Sequence, residues 1–365
     1  MASASSRVPP LPVLRALGLF RDELAALHRR LVPGPVALLE LQMTGFLSQA
    51  IYAAAELGIA DALDGGAKRP EELARAVGAD EDALRRLMRL LISFDIFKQR
   101  RDGAYALTPI ARGLRGDADV SLRDLIRFFG SEYHRDRWTH LVDSVRTGRP
   151  VNEVRGDQSF FEYAAAHRDL GELFDRGMTS VSTLSVEPLL AAYDFGGFGT
   201  LVDVGGGQGS LLVDILRRGT SGHGIVFDLP EVVRDLPGRF AELGLEERIS
   251  VESGSFFEAV PKGGGAYILK HILHDWSEAE AESILRTVRT AMEPDAALLV
   301  IEVVLPEHGR PHAGKFIDLE MLVRATGRER TLAKYRKLLE HTGFQLERAV
   351  GTAAPDTILV ARPAR

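Results

Sequence analysis

From Val13 to Ile110 apolar residues recur every three or four positions, as in VLRALGLFRDELAALHRRLV and LLELQMTGFLSQAIYAAAELGIADAL. That spacing predicts amphipathic helices, each burying one stripe. The next stretch, RPEELARAVGADEDALRRLMRLLISFDIFKQRRDGAYALTPIARGL, predicts a helix, a turn at Gly78, a second helix and a small hairpin around Asp102-Gly103. This is the outline of a winged helix-turn-helix. Helical spacing continues through residues 120–195, with no internal repeat or long low-complexity linker. At Thr200 the pattern changes. Short β-branched runs (TLVDV, GIVFD, ISVES, AYILK, ALLVIEVVL, TILVAR) alternate with helical ones such as GSLLVDILRRG and AEAESILRTVRTAME. Strand and helix in alternation predict a parallel α/β sheet, with its ligand beyond the carboxyl ends of the strands. The expected division is a helical part, 1–115, bridging helices, 116–195, and an α/β domain, 196–365.

The winged unit has two readings, a packing or dimerisation module and a DNA reader. Arg85, Arg86 and Arg89 are available to phosphate, but Asp80, Glu81 and Asp82 open the same helix. Those acids suit the helix dipole and repel phosphate, which favours packing. Composition narrows the field further. The 365 residues fit about two domains. With 45% hydrophobic and 26% charged residues, and no apolar run approaching the ~18 residues of a membrane span, no membrane role is expected. No cysteine is present, which removes disulfides, thiolate zinc sites and cysteine nucleophiles. A net charge of −6 argues against bulk attraction to nucleic acid. The opening MASASSRVPPLP lacks the apolar core of a secretory signal, so a frayed tail and a cytoplasmic protein are expected.

Chemistry enters with LVDVGGGQGS, where Gly205, Gly206, Gly207 and Gly209 follow a predicted strand and precede a helix. Glycines there let backbone amides approach a ligand closely. Asp228, in FDLPEV, ends the second strand 23 positions after Gly205, where a carboxylate accepts hydrogen bonds from ribose hydroxyls. NAD and S-adenosylmethionine both fit. Ser210 stands where the dinucleotide fingerprint wants a third glycine, and Asp203 has no standard role in that fingerprint; both details tilt toward S-adenosylmethionine.

ILKHILHDW poses a second question, because His271 and His274 are three apart. On a helix that spacing allows a metal pair. Lys270 would repel a cation, and no third ligand stands at close spacing, so no metal site is expected. The remaining readings are a helix-start residue or a general base.

In order and spacing, LVDVGGGQGS, FDLPEV, LKHILHDW, VIEVVLPE and GRERT resemble the metal-independent small-molecule O-methyltransferases, of the plant caffeate type and the bacterial antibiotic-tailoring, mitosane and phenazine types. The likeness spans nearly the whole chain. It implies a C-terminal Rossmann-like sheet binding S-adenosylmethionine, which leaves as S-adenosylhomocysteine. It also implies an N-terminal helical dimerisation domain containing a winged helix, a homodimer, and a small aromatic acceptor. Neither a nucleic acid nor a membrane partner is implied. By the same resemblance the cofactor contacts are Asp203, Gly205, Gly207, Asp228, Leu229, Ser255, Phe256, Lys270, Phe174 and Ser182. Ser255 departs from the pattern, since the family usually has an aspartate there. His274 matches the base and Glu302 and Glu329 the two acids beside it. Met178, Tyr133, His134, Trp138, Asn152, Phe161, Asp275, Asp318 and Met321 match positions lining the acceptor site.

A phenol with a pKa of about 10 facing a histidine of about 6.5 leaves proton transfer roughly 3.5 units uphill. The adjacent sulfonium charge should narrow this gap, so histidine fits as the general base provided something holds its tautomer. Taken alone, Glu302 also reads as a strand-end surface acid and Glu329 as a solvated loop charge. The competing functions are carbon methylation on the same scaffold, a nucleotide-dependent oxidoreductase, and a DNA-binding regulator.

Overall fold

The structure, a computed structural model, describes residues 11–219 and 222–364, so most of the opening Ser/Pro-rich segment lies outside the described residues. Packing groups the chain into two compact units, one of residues 19–142 with 158–184, the other of residues 11–18, 143–157 and 185–364. The stretch 116–195, expected as one bridging part, is thus shared between them.

In the first unit the winged-helix outline is present. Helix Pro70–Val77 starts on a proline and stops at Gly78, whose φ of 66° only glycine adopts easily. Helix Glu81–Ser93 is capped by Asp80, which accepts from the Ala83 N–H at 2.9 Å. Strands β1 (Phe97–Gln99) and β2 (Tyr105–Leu107) form the wing. Leu73, Leu84, Met88, Leu91 and Phe97 make its core with Ala54 and Ile59 of the preceding helices. Arg85, a candidate phosphate ligand, is held by Glu81 at 2.7 Å on its own helix. The two leading helices are different in kind. Helix Leu11–Arg30 buries no residue, and Phe20, Leu31, Leu38 and Phe46 are 62–74% exposed. An apolar surface of that extent marks an interface.

The second unit holds a seven-stranded sheet in the order β5-β4-β3-β6-β7-β9-β8. Its strands are β3 (Thr200–Val204), β4 (His223–Asp228), β5 (Ile249–Ser253), β6 (Ala266–Lys270), β7 (Ala297–Val303), β8 (Phe344–Gly351) and β9 (Asp356–Pro363). The first five are parallel; β9 runs antiparallel to both β7 and β8. Alternate side chains serve opposite faces. Leu201, Ile268 and Leu299 pack with helix Ser210–Arg217, while Val202, Leu269 and Leu298 pack with helices Glu278–Ala291 and Leu332–His341. Strand β8 was not among the expected strands. It is an edge strand whose Glu347 and Arg348 break the apolar run, with a register shift between Leu346 and Arg348. Because β3 has β4 on one side and β6 on the other, the order of strands reverses there. A crevice therefore opens beyond the carboxyl ends of these strands. Among the described residues no helix is long and apolar enough to cross a membrane.

Candidate active site

The glycine loop leaves β3 with Gly205, Gly207 and Gly209 at φ values of 72°, 53° and 70°, all in the left-handed region. Space adds to the demand for glycine. A Cβ on Gly205 would stand 2.4 Å from the Ile272 side chain, and one on Gly209 would stand 2.7 Å from Phe240. At Gly207 a Cβ would meet nothing within 4 Å, so the loop is open on that side. Asp228 holds the loop in place. Its Oδ2 accepts from the Gly207 N–H at 2.9 Å and its Oδ1 from the Leu229 N–H at 2.7 Å. Asp203, at the end of β3, is 2% exposed, and burial pushes its carboxyl up to about 7. Burial likewise lowers the pKa of Lys270 at the end of β6. Ser255, where the resemblance expects a carboxylate, accepts from the Phe257 N–H at 3.3 Å, and the Phe256 ring packs edge-on to Trp276. Two carboxylates, an open glycine loop and an aromatic face at adjacent strand ends suit a ligand with an ammonium group, ribose hydroxyls and an aromatic base.

Next to this crevice the chain leaves β6 through His271, at φ 54°, and enters a single 3-10 turn, Leu273–Asp275. The two histidines go to different partners. His271 Nε2 lies 2.8 Å from Asp356 Oδ1, at the start of β9. His274 Nδ1 lies 2.7 Å from Glu329 Oε1 and 4.0 Å from Glu302 Oε2. Glu302, in the fully buried β7, accepts from the Leu273 N–H at 2.9 Å through its other oxygen. Glu329 in turn has its own N–H bound to Asp318 Oδ1 at 2.9 Å. On the opposite edge of the ring, His274 Nε2 stands 3.8 Å from Asp275 Oδ2, while Asp275 Oδ1 is paired with Arg324 at 2.8 Å.

Electrostatics follow from this geometry. Burial disfavours the imidazolium of His274, but the carboxylates of Asp275, Glu302 and Glu329 outweigh it and push the pKa up to about 10. Burial also raises Glu302, to about 8. The cluster therefore sheds protons later than its isolated members would. The ligand atoms of His274, Glu302 and Glu329 lie within 4.8 Å of one another, close enough to hold a cation. No third ligand stood near the histidines in sequence; strand β7 and the 325–331 loop bring two.

The other expected site residues divide between the units. In the second unit, helix Val151–Arg155 carries Asn152, whose Oδ1 is buried without a hydrogen-bond partner among the described residues. Met321 is buried in helix Ala313–Arg324, which also carries Asp318. In the first unit, Phe174, Met178 and Ser182 recur every four residues on helix Arg168–Ala192, hence along one face. Phe174 packs against Phe128 and Phe160, with centroids 5.1 and 4.6 Å away, so its ring belongs to an aromatic cluster. Tyr133 stacks on Tyr163 at 4.3 Å, His134 lies 6.3 Å from Trp138, and Phe161 is 56% exposed. Sequence reasoning missed Asp356 and Arg324, and no sequence signal marked either.

Residues 138–345 match an O-methyltransferase domain, and residues 39–115 match an O-methyltransferase dimerisation domain. The phenazine O-methyltransferase PhzM of Lysobacter antibioticus is 38% identical, over 90% of this chain and 97% of its own length. A phenazine-1-carboxylate N-methyltransferase of Pseudomonas aeruginosa is 34% identical, over 86% of this chain and 93% of its own. The human N-acetylserotonin methyltransferase, solved with S-adenosylmethionine, superposes with a TM-score of 0.83 at 28% identity, over 92% of this chain and 99% of that one. The glycine loop, the strand-end acids and the strand order of the sheet accord with these matches: the chain belongs to the O-methyltransferase family and uses S-adenosylmethionine as its cofactor.

Proposed function

We propose that the protein methylates a hydroxyl group, phenolic in character, on an aromatic secondary metabolite, with His274 taking the proton. The observation that carries this reading is the 2.7 Å contact between His274 Nδ1 and Glu329, backed by Glu302. Bound S-adenosylmethionine supplies a methyl group activated on a sulfonium. On this reading Asp228 and Asp203 take its ribose and ammonium ends and Phe256 and Ser255 its base, and Gly205, Gly207, Leu229 and Lys270 complete the proposed contacts.

Glu329 keeps the Nδ1 proton on its own side of the ring, which leaves Nε2 to face the acceptor. The carboxylates around His274 lift its affinity for a proton to about that of a phenol, near 10, so the transfer is close to level rather than 3.5 units uphill. A positive charge in the cofactor crevice lowers the pKa of His274 and of the phenol together, so the ring sheds its resting proton to solvent more readily while the gap between the two stays narrow. Asp275, Asn152, Asp318 and Met321 are read as acceptor contacts. The exposed apolar residues Phe20, Leu31, Leu38 and Phe46, together with the dimerisation match, support a homodimer. His274 and Glu329 at hydrogen-bond distance are read as a base and its orienter, with no metal.

The test is a panel of phenolic acceptors incubated with methyl-labelled cofactor, read by mass spectrometry, with wild type and His274→Ala. We expect His274→Ala to lose about 10²–10⁴-fold in kcat. Unchanged turnover would sink the base assignment. The N-methyltransferase relative favours a second reading, transfer to an amine. An amine already carries a free lone pair above its pKa, so on that reading His274→Ala retains activity at high pH.

A further inference from the structure

His274 sits in a turn of three residues, too short to be rigid by its own hydrogen bonds. The peptide groups just before it are gripped from both sides. Leu273 donates its N–H to Glu302 at 2.9 Å, and its C=O accepts from Arg330 Nη1 at 2.7 Å. The same guanidinium reaches the Trp276 carbonyl from Nη2 at 3.4 Å and the Arg328 carbonyl from Nη1 at 3.4 Å. Its Nε and Nη2 meet Glu278 Oε2 at 3.1 and 3.0 Å. Arg330 is 0% exposed, whereas the Glu278 side chain is 53% exposed. The backbone of Arg330 is fixed as well, its C=O accepting from the Leu305 N–H at 2.9 Å.

A guanidinium carried to zero exposure needs partners for its donors, and here they are three carbonyls and a carboxylate. Two of those carbonyls flank His274 and Asp275, and the residue before Arg330 is Glu329. We propose that Arg330 is the positioning residue of the base: its planar fork locks the Leu273–Trp276 turn to the loop bearing Glu329, and so sets the His274–Glu329 pair. It touches neither cofactor nor acceptor. Lysine carries the charge but cannot serve several carbonyls and Glu278 at fixed angles together. The inference rests on the reading of His274 as the base.

The test needs no acceptor. Full-length protein with 15N-labelled histidine, saturated with S-adenosylhomocysteine, is titrated by NMR as wild type, Arg330→Lys and Glu278→Gln, with His274→Gln assigning the signal. In Arg330→Lys the His274 titration should fall by about one unit or more, and the hydrogen-bonded Nδ1 proton signal should weaken. S-adenosylhomocysteine affinity, measured by calorimetry, should hold. Glu278→Gln should move the same signals less. Unchanged His274 signals in a folded Arg330→Lys protein would overturn the proposal. Where Arg330→Lys does not fold, Glu278→Gln decides by the same criterion, since its side chain is half exposed. Turnover retained by His274→Ala is a separate result: it would remove the base reading and leave the NMR outcome standing.

Discussion

The crevice around the glycine loop and the turn bearing His274 lie side by side at the strand ends, yet they are built in opposite ways. The crevice is local. Eight consecutive residues, 203–210, form its loop, backbone amides do much of the work, and one acid from the next strand, Asp228, completes it. The base turn is assembled from distant segments: residues 273–275, Glu302 in β7, Asp318 and Arg324 on one helix, and the loop from Gly327 to Arg330. A local loop fails when its backbone conformation fails. An assembled cluster fails when any one of its remote supports moves.

That contrast can be broken at several points. Glu329→Gln removes the acceptor that orients His274, and kcat should fall by about 10²-fold or more while cofactor affinity holds. Steady-state kinetics alongside calorimetry checks both halves. Gly327→Ala should act similarly from further away, because its Cβ would stand 1.9 Å from the His274 carbonyl oxygen. A displacement on that scale costs about 10²-fold in rate. The mirror-image substitution is Gly205→Ala. There the strained φ of 72° and the clash with Ile272 should weaken cofactor binding about 10-fold or more, with the His274 titration unmoved. A variant that altered both readouts equally would show the two regions to be one.

The protonation of the cluster gives a smaller, graded effect. His274 has a folded pKa of about 10, above its unfolded value of about 6.5, so its contribution to stability is full below the lower value and lost as pH rises through the higher. Glu302, raised to about 8, acts in the same direction over its own lower window. Thermal stability should therefore decline between about pH 5 and 10, and Glu302→Gln should flatten the part of that slope up to about pH 8. A melting temperature that climbed over this interval would contradict the assignment. The smallest expected effect is none at all: exhaustive chelation should leave turnover unchanged, and a loss restored by a divalent cation would turn His274, Glu302 and Glu329 into ligands.

Legibility in the sequence follows the same division. The winged helix was readable from its period and from Gly78, and six of the seven main strands from their β-branched runs. Strand β8 was not, because it lies at the edge and carries charge on the face away from the core. The glycine loop and Asp228 were readable because backbone conformation and close packing demand glycine at fixed places along one segment. Spacing alone left His271 and His274 alike in ILKHILHDW; the family resemblance singled out His274, and the structure gives the two rings different partners, Asp356 and Glu329.

The sequence by itself determined the element types, the glycine loop and the identity of the residues available for chemistry, since each depends on periods and on preferences of neighbouring residues. Only the tertiary structure decided that His271 turns to Asp356, that Asp318 binds the Glu329 backbone, and that Arg330 is buried under the turn. Those facts depend on which segments are neighbours across the sheet, and on the need of every buried charge for a partner. Neither is written at any one place along the chain.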